Sequence, residues 1–234
     1  MKPVEKGSAP RVYTAYDQAK LDLLDKIGLQ CSYCEVGKDP QDLHVEHIYP
    51  KAPHPEKELD WKNFLVSCNT CNSYKNIYLG NSRRRGLEKK YIWPHLENSF
   101  RAFQYFADGR VELRPRLIKE IKAAALKTHE MVGLMLSPAK AASYKKKGIA
   151  YDGVSKRSQQ WAQALSFRVT MYLPNPTQQA AVAIANNAAG MGYFSIWMEV
   201  FHDRPEVRRE LIRAFKADPS CFDVDTKPVR KNRL

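Results

Sequence analysis

The chain has 234 residues, with 38 Lys and Arg against 25 Asp and Glu, so its formal net charge is +13 at pH 7. Hydrophobic residues make up 44% of the chain, which excludes wholesale disorder. No stretch approaches the roughly 20 apolar residues of a membrane-spanning helix, and the first ten residues lack the apolar core of a secretory signal. We therefore expect a cytoplasmic protein of one large domain or two small ones, with a polyanion as its partner.

The first predicted elements are a flexible N-terminal arm over residues 1–15 and an amphipathic helix over residues 16–29. Apolar residues recur four apart at Leu23 and Ile27, and Gly28 stands where a helix would stop. Residues 42–48 alternate in part and predict a strand, paired with a short extended segment before it.

Residues 60–78 are expected to begin as a turn and to finish as a helix. A basic connector over residues 83–90 follows. We place residues 16–95 in one Cys/His-rich module on this basis.

The remaining chain, residues 96–222, is expected to be mostly helical, with a basic tail over residues 223–234. A hairpin over residues 100–113 should turn at the Asp108–Gly109 pair. Helices are predicted over residues 117–132, 158–172, 177–190 with Thr177 as its cap, and 206–216.

Five cysteines are too few for a disulfide scaffold, but four of them are paired in sequence. Two C-x2-C turns, with 33 residues between them, have the spacing at which four thiolates hold a tetrahedral zinc ion. We predict a structural zinc site at Cys31, Cys34, Cys68 and Cys71. Cys221 stands alone and is expected to be a small buried hydrophobe.

The segment between the cysteine pairs carries the groups needed to hydrolyse a phosphodiester with a divalent cation. Glu46 and Asn72 offer the oxygen ligands that Mg²⁺ prefers. His47 is the candidate general base, because an imidazole is neutral near pH 7. His44 shares a strand face with Glu46 and is an additional candidate for contact with the metal or the substrate.

This arrangement resembles the HNH endonucleases of the ββα-metal class. The motifs that carry the resemblance are C-x2-C at 31–34, V-E-H-I-Y-P at 45–50, W-K-N-F-L at 61–65, and C-N-T-C-N-x2-K-N at 68–76. The chain departs from the family pattern in having Glu46 where Asp is commoner and Asn72 where His is commoner, and both replacements keep a ligand atom.

The resemblance implies a role for each matching residue. His47 would activate water, Glu46 and Asn72 would hold the catalytic Mg²⁺ or Mn²⁺, and the four cysteines would hold zinc. Asn63 would fix the loop that bears His47 through hydrogen bonds to the main chain. Water would attack phosphorus in line, leaving 5′-phosphate and 3′-hydroxyl ends.

A second resemblance, carried by these same motifs and by E-L-I-x2-F at 210–215, is to the HNH subunits of Septu-type anti-phage systems. It implies a nuclease effector regulated by an ATPase partner of the ABC/SMC-like kind; related pairs accompany retrons.

A basic cluster follows the last candidate ligand and is a candidate nucleic-acid surface. Its members are Lys75, Arg83, Arg84, Arg85, Lys89 and Lys90. Phosphate contacts of this kind position a substrate without reading its sequence.

The sequence thus predicts an α+β, mainly helical fold, with a zinc-stabilised ββα-metal HNH module followed by a helical accessory region for docking a partner. The predicted activity is metal-dependent endonuclease activity, with DNA favoured over RNA. The alternative is a non-catalytic zinc module that binds nucleic acid or a partner protein.

Overall fold

A computed structural model describes residues 1–80, 84–134, 142–143, 152–172 and 177–231, without the side chains of residues 170 and 172. The predicted nucleic-acid contact Arg83, the basic stretch 145–147 and the end of the basic tail, residues 232–234, lie outside these ranges. No helix within them has both the length and the apolar character that crossing a membrane requires.

The chain enters its first helix through a 3₁₀ turn, Tyr16–Ala19, which leads into α1, Lys20–Ile27. Helix α1 buries Leu23, Leu24 and Ile27, as the spacing of these residues predicts. It ends at Gly28, whose φ of 89° lies in the region that favours glycine. The first C-x2-C turn follows this glycine.

An antiparallel pair of strands and a helix form the core of the Cys/His-rich part. Strand β1, Leu43–His47, pairs with β2, Phe64–Cys68, in a register that places His47 opposite Phe64. Helix α2, Asn69–Leu79, begins at the residue after β2. The expectation that β1 pairs with a segment before it is wrong. All five residues of β2 are buried, so the polar alternation that marks a half-exposed strand is missing.

A short helix, a hairpin and a longer helix follow. Helix α3 spans Leu87–Lys90, and the predicted hairpin is confirmed as β3, Phe103–Tyr105, paired with β4, Val111–Leu113. Gly109 turns the hairpin with a φ of 81°. Helix α4 spans Lys119–Met131.

Four helices complete the described fold: α5, Gly153–Arg168; α6, Gln178–Met191; α7, Phe194–Val200; and α8, Pro205–Ala214. Thr177 caps α6 as predicted, because its side chain accepts a hydrogen bond from the Ala180 N–H. Helix α6 packs on α8, and α5 packs on α7. The protein is therefore α+β and mainly helical.

Residues 1–4 and Lys6 are buried, which corrects the expectation of a flexible arm for the start of the chain, whereas residues 7–12 are exposed. Met1 and Val4 are fully buried, and Val4 N–H donates to the Pro94 carbonyl at 2.9 Å. The Lys6 ammonium donates to the Trp61 and Phe64 carbonyls at 2.8 and 2.5 Å. Met1 and Val4 stand among charged residues and prolines, and two apolar residues are too few to predict burial.

The basic tail is also anchored up to residue 231. Phe222 and Pro228 form a β-bridge, and Val229 N–H donates to the Cys221 carbonyl at 2.9 Å. The Lys231 ammonium lies 2.7 Å from Asp218. These contacts return the tail to the core instead of leaving it free.

The zinc turn and the helical part meet in direct backbone contact. Val36 forms a β-bridge with Gly192, and Tyr193 N–H donates to the Glu35 carbonyl at 2.6 Å. A Cβ placed at Gly192 would lie 2.2 Å from the Gly37 nitrogen, so only glycine fits there. One continuous set of buried apolar residues runs from Met1 to Ala217.

Candidate functional site

Four buried cysteines come together where two turns meet. Cys31 and Cys34 lie in the turn after α1, Cys68 closes β2, and Cys71 lies in the first turn of α2. Their sulfur atoms all lie within 4.8 Å of one another, and those of Cys34 and Cys68 are 3.8 Å apart. Zn–S bonds of about 2.3 Å give a tetrahedron with edges of about 3.8 Å, so the cluster has the dimensions of a zinc site.

The thiols of this cluster differ in acidity. Hydrogen bonds from Cys31, Cys34 and Cys71 lower the pKa of Cys68, whereas burial raises the pKa of Cys31. Zinc binds the thiolate form, so the ion would hold Cys31 ionised against the effect of burial. Cys221 is fully buried elsewhere, and burial raises its pKa to about 12. It is the inert residue that the sequence predicts.

A cleft of about 350 Å³ lies between the end of β1, the loop after it and one face of α2. Four of the predicted site residues line it together: Glu46, His47, Asn72 and Lys75. Helix α2 presents Asn72, Lys75 and Asn76 to the cleft at the i, i+3, i+4 spacing of a single helix face. His44 is absent from the lining, and its buried Nε2 has no hydrogen-bond partner in the described part of the chain.

His47 is held as a neutral base. Its Nε2 lies 2.9 Å from the Glu58 carbonyl oxygen, which can only accept a hydrogen bond. Nε2 therefore carries the proton in the neutral ring, and Nδ1 keeps a lone pair. Burial lowers the pKa of His47, and the positive charges of Lys75 and Lys51 lower it further. The ring also packs edge-on against Tyr16 and Phe64.

Asn63 fixes the loop that follows His47. Its Oδ1 accepts from Tyr49 N–H at 2.8 Å, and its Nδ2 donates to the Tyr49 and Lys57 carbonyls at 3.1 and 2.9 Å. The side chain is 3% exposed, so these bonds lie in the interior. They tie the chain directly after β1 to the residues before the Glu58 carbonyl, which is the partner of His47.

Glu46 is paired with a lysine. The Lys75 ammonium lies 2.5 Å from Glu46 Oε1, and Tyr33 donates to the same oxygen at 3.3 Å. Lys75 also donates to the His47 carbonyl. Burial raises the pKa of Glu46, and the charge of Lys75 opposes that shift. Lys75, a predicted nucleic-acid contact, is 1% exposed and lies inside the cleft against Glu46 rather than on an open surface.

The donors at the cleft fit a hard divalent cation. Glu46 supplies a carboxylate, and Asn72 supplies an amide oxygen that accepts from Asn76 at 2.9 Å. Mg²⁺ and Mn²⁺ prefer carboxylate and carbonyl oxygens. Both donors were predicted from the sequence, but the pairing of Lys75 with Glu46 was not. The spacing from Asn72 to Lys75 does indicate that these two residues share one face of α2.

The described members of the basic cluster lie outside the cleft lining, apart from Lys75. Arg84, Arg85, Lys89 and Lys90 are exposed, and Arg84 donates to the Tyr78 carbonyl at 3.4 Å. Lys89 and Lys90 close α3.

Comparison with known proteins identifies the class of this site. Residues 31–76 match the family model described as HNH endonuclease, so the chain contains an HNH endonuclease domain. The matched segment begins at Cys31 and ends one helical turn beyond Asn72. It includes the four cysteines and, of the described residues that line the cleft, all but Tyr16 and Gly80. The four-cysteine cluster frames a ββα unit within it.

The chain is also similar to the Septu protein PtuB of Bacillus thuringiensis. The two are 38% identical over 61 residues, which is 25% of this chain and 24% of that protein. The chain thus matches about a quarter of the length of this curated relative.

Proposed function

We propose that this protein is a metal-dependent endonuclease that hydrolyses phosphodiester bonds, with DNA as the favoured substrate. The observation that supports this most directly is one cleft that holds Glu46, His47 and Asn72 beside a four-cysteine cluster, inside a segment that matches the HNH endonucleases. The basic composition, with a net charge of +13, suits a polyanionic substrate.

His47 carries the proton transfer in this proposal. Its Nδ1 accepts a proton from the attacking water, because Nε2–H is already donated to the Glu58 carbonyl. The lowered pKa keeps the ring unprotonated at neutral pH, so the base is available. Asn63 acts on His47 through the loop and the main chain.

Glu46 and Asn72 would hold a divalent cation, Mg²⁺ or Mn²⁺. Such an ion supplies positive charge that stabilises the phosphate as negative charge builds up on it. The exposed residues of the basic cluster, Arg84, Arg85, Lys89 and Lys90, would contact the phosphate backbone on either side of the scissile bond. Zinc would hold β2, α2 and the turn after α1 in position.

The similarity to a Septu protein supports a role in anti-phage defence. We propose that the protein acts in the cytoplasm, in a complex with an ATPase partner that regulates cutting. The helical part, residues 96–222, is the proposed surface for that partner, with the nuclease module over residues 16–95.

Incubation of plasmid DNA with the purified protein and Mg²⁺ or Mn²⁺ tests the activity, alone and with an ATPase of the ABC/SMC-like kind added. We expect His47→Ala to lower the cleavage rate by at least about a hundredfold, as loss of a general base does. His202→Ala, which removes an exposed histidine far along the chain, should cut like the parent. Equal cutting by the His47→Ala variant would refute the base, and binding without cutting under all conditions would favour the non-catalytic zinc module.

A further inference from the structure

A buried ammonium lies among the groups assigned to the divalent cation. Lys75 Nζ is 2.5 Å from Glu46 Oε1, and the two side chains are 1% and 2% exposed. The same ammonium donates to the His47 carbonyl. Among the described residues that line the cleft, Glu46 is the only carboxylate. The ammonium of Lys75 already neutralises the charge of this carboxylate. A divalent cation that binds Glu46 therefore also meets the positive charge of Lys75.

The charges that line the cleft sum to a positive value before any ion binds. Glu46 contributes −1, whereas Lys51 and Lys75 each contribute +1. His47, Asn72 and Asn76 add no charge when His47 is neutral. Charges repel more strongly in a buried site than in water, because the effective dielectric constant is lower there. These charges therefore favour binding of an anion over binding of a divalent cation.

We propose that Lys75 makes binding of the divalent cation conditional on a phosphodiester in the cleft. The phosphate charge offsets the ammonium, or draws it away from Glu46, and the carboxylate then becomes available to the cation. Lys75 is in this sense a positioning residue that couples two ligands. The inference rests on the proposed function for the identity of the cation site and of the polyanion.

The coupling has a thermodynamic consequence that can be measured from either side. If nucleic acid raises the affinity for the cation by some factor, the cation raises the affinity for nucleic acid by that same factor. Without Lys75, Glu46 is an uncompensated carboxylate, and the cation alone should bind it tightly. The resting protein would thus hold little divalent cation until nucleic acid arrives.

The test uses the full chain with zinc bound and with His47→Ala, which keeps DNA intact. Free Mn²⁺ is measured by electron paramagnetic resonance without DNA, at pH 8 for every variant. We expect Lys75→Met to bind Mn²⁺ about tenfold more tightly than its parent, a typical size for coupling between sites. Lys75→Arg, which keeps the charge, should bind Mn²⁺ with an affinity within about threefold of that of its parent.

Lys51→Met is the matched control, because Lys51 is about half exposed and pairs with Glu58, so solvent and that carboxylate screen its charge, whereas the charge of Lys75 is buried. It should change Mn²⁺ affinity by less than about threefold. Equal or weaker Mn²⁺ binding by a folded Lys75→Met variant would overturn the proposal.

A second measurement does not depend on the folding of Lys75→Met. The affinity of the His47→Ala protein for a labelled DNA duplex, measured by fluorescence anisotropy at constant ionic strength, should rise about tenfold with Mn²⁺. No rise would overturn the coupling. Glu46→Gln separates this failure from failure of the proposed function: if it binds Mn²⁺ as tightly as its parent, the cation site itself is wrongly assigned.

Discussion

At the scale of single residues, main-chain groups hold the polar side chains of the cleft. His47 bonds to the Glu58 carbonyl, Asn63 bonds to both polar groups of the Tyr49 main chain, and Lys75 bonds to the His47 carbonyl. The orientation of each side chain therefore depends on the path of the loop between β1 and β2. A change in that loop should alter the cleft even if it touches none of the lining residues.

Asn63→Ala tests this dependence. The substitution removes three hydrogen bonds and leaves the Tyr49 N–H and carbonyl without their partner in the interior. We expect the free energy of unfolding to fall by about 2–4 kcal/mol, because unsatisfied buried polar groups are costly. Urea denaturation measures this loss, and plasmid cleavage should slow by at least about tenfold as His47 loses its fixed position.

Asn186→Ala is a suitable control for that experiment. Asn186 is exposed on α6, and alanine is the better helix former at such a position. Its stability and cleavage should match those of the parent. If Asn63→Ala behaved in the same way as this control, the loop would not need Asn63.

The motif residues of the cleft could be predicted, but the partner of Glu46 could not. Glu46, His47 and Asn72 fall in an order that signals phosphodiester chemistry, and the cleft brings them together. Lys75 follows the same motif as one more cation in a basic stretch. Only the packing of α2 against β1 shows that this ammonium points inward to a carboxylate rather than outward to a phosphate.

At the scale of elements, the zinc cluster joins the turn after α1 to the junction of β2 and α2. Cys68→Ser should leave the protein with well under one zinc ion per chain, because a structural site needs all four ligands. Metal analysis measures the zinc content, and thermal melting measures the stability. We expect the melting midpoint to fall sharply. Cys221→Ala removes a buried cysteine outside the cluster, so it should retain one zinc ion per chain.

The N-terminal segment is tied to β2 by Lys6, and this contact makes stability depend on pH. Burial lowers the pKa of Lys6 to about 7 from an ordinary value of 10.5. The unfolded chain therefore binds more protons than the folded chain between these two values, so folding gains stability from this group as pH rises. Below pH 7 both states are protonated and the gain is absent.

Urea denaturation of the parent and of Lys6→Met at pH 7 and pH 9 tests this dependence. As pH rises, the free energy of unfolding of the parent should increase relative to that of Lys6→Met by up to about 1.4 kcal/mol per pH unit. Lys62→Met, which removes a neighbouring exposed lysine, should show a difference that does not change with pH. A constant difference for Lys6→Met would mean that its folded pKa is ordinary.

Elements with one exposed face were predictable, whereas fully buried ones were not. Helices α1, α4, α6 and α8 show the periodic apolar positions that the sequence reveals. Strand β2 is buried on both faces, and helix α7 buries six of its seven residues. Uniform burial leaves no alternation of polar and apolar residues, so neither the two-residue period of a strand nor the 3.6-residue period of a helix can be read from the sequence.

At the scale of the whole molecule, Glu35 links the zinc turn to the helical part. This fully buried carboxylate accepts hydrogen bonds from Ser195 N–H and Oγ at 3.0 and 2.7 Å, and the Met1 amino group lies 3.4 Å away. Glu35 follows Cys34 directly, and Ser195 is the second residue of α7. The interior therefore connects zinc binding to the packing of the helices.

Glu35→Ala should lower the free energy of unfolding by about 3–5 kcal/mol, because it leaves the buried partners of the carboxylate unpaired. In urea, zinc release to a coloured chelator and loss of helical circular dichroism should occur together in the parent. Glu5→Ala removes an exposed carboxylate paired with Lys231 and should cost less than about 1 kcal/mol. Two separate transitions in the parent would show that the zinc turn and the helices unfold independently.

The close backbone contact between Gly37 and Gly192 limits which segments of this protein can be exchanged with those of another. The two backbones approach so closely that a methyl group on either one would collide with main-chain atoms of the other segment. A nuclease module grafted from another protein would fit these helices only if it brought a glycine to the same place. Recombination between relatives should therefore succeed only where both halves of this contact are inherited together.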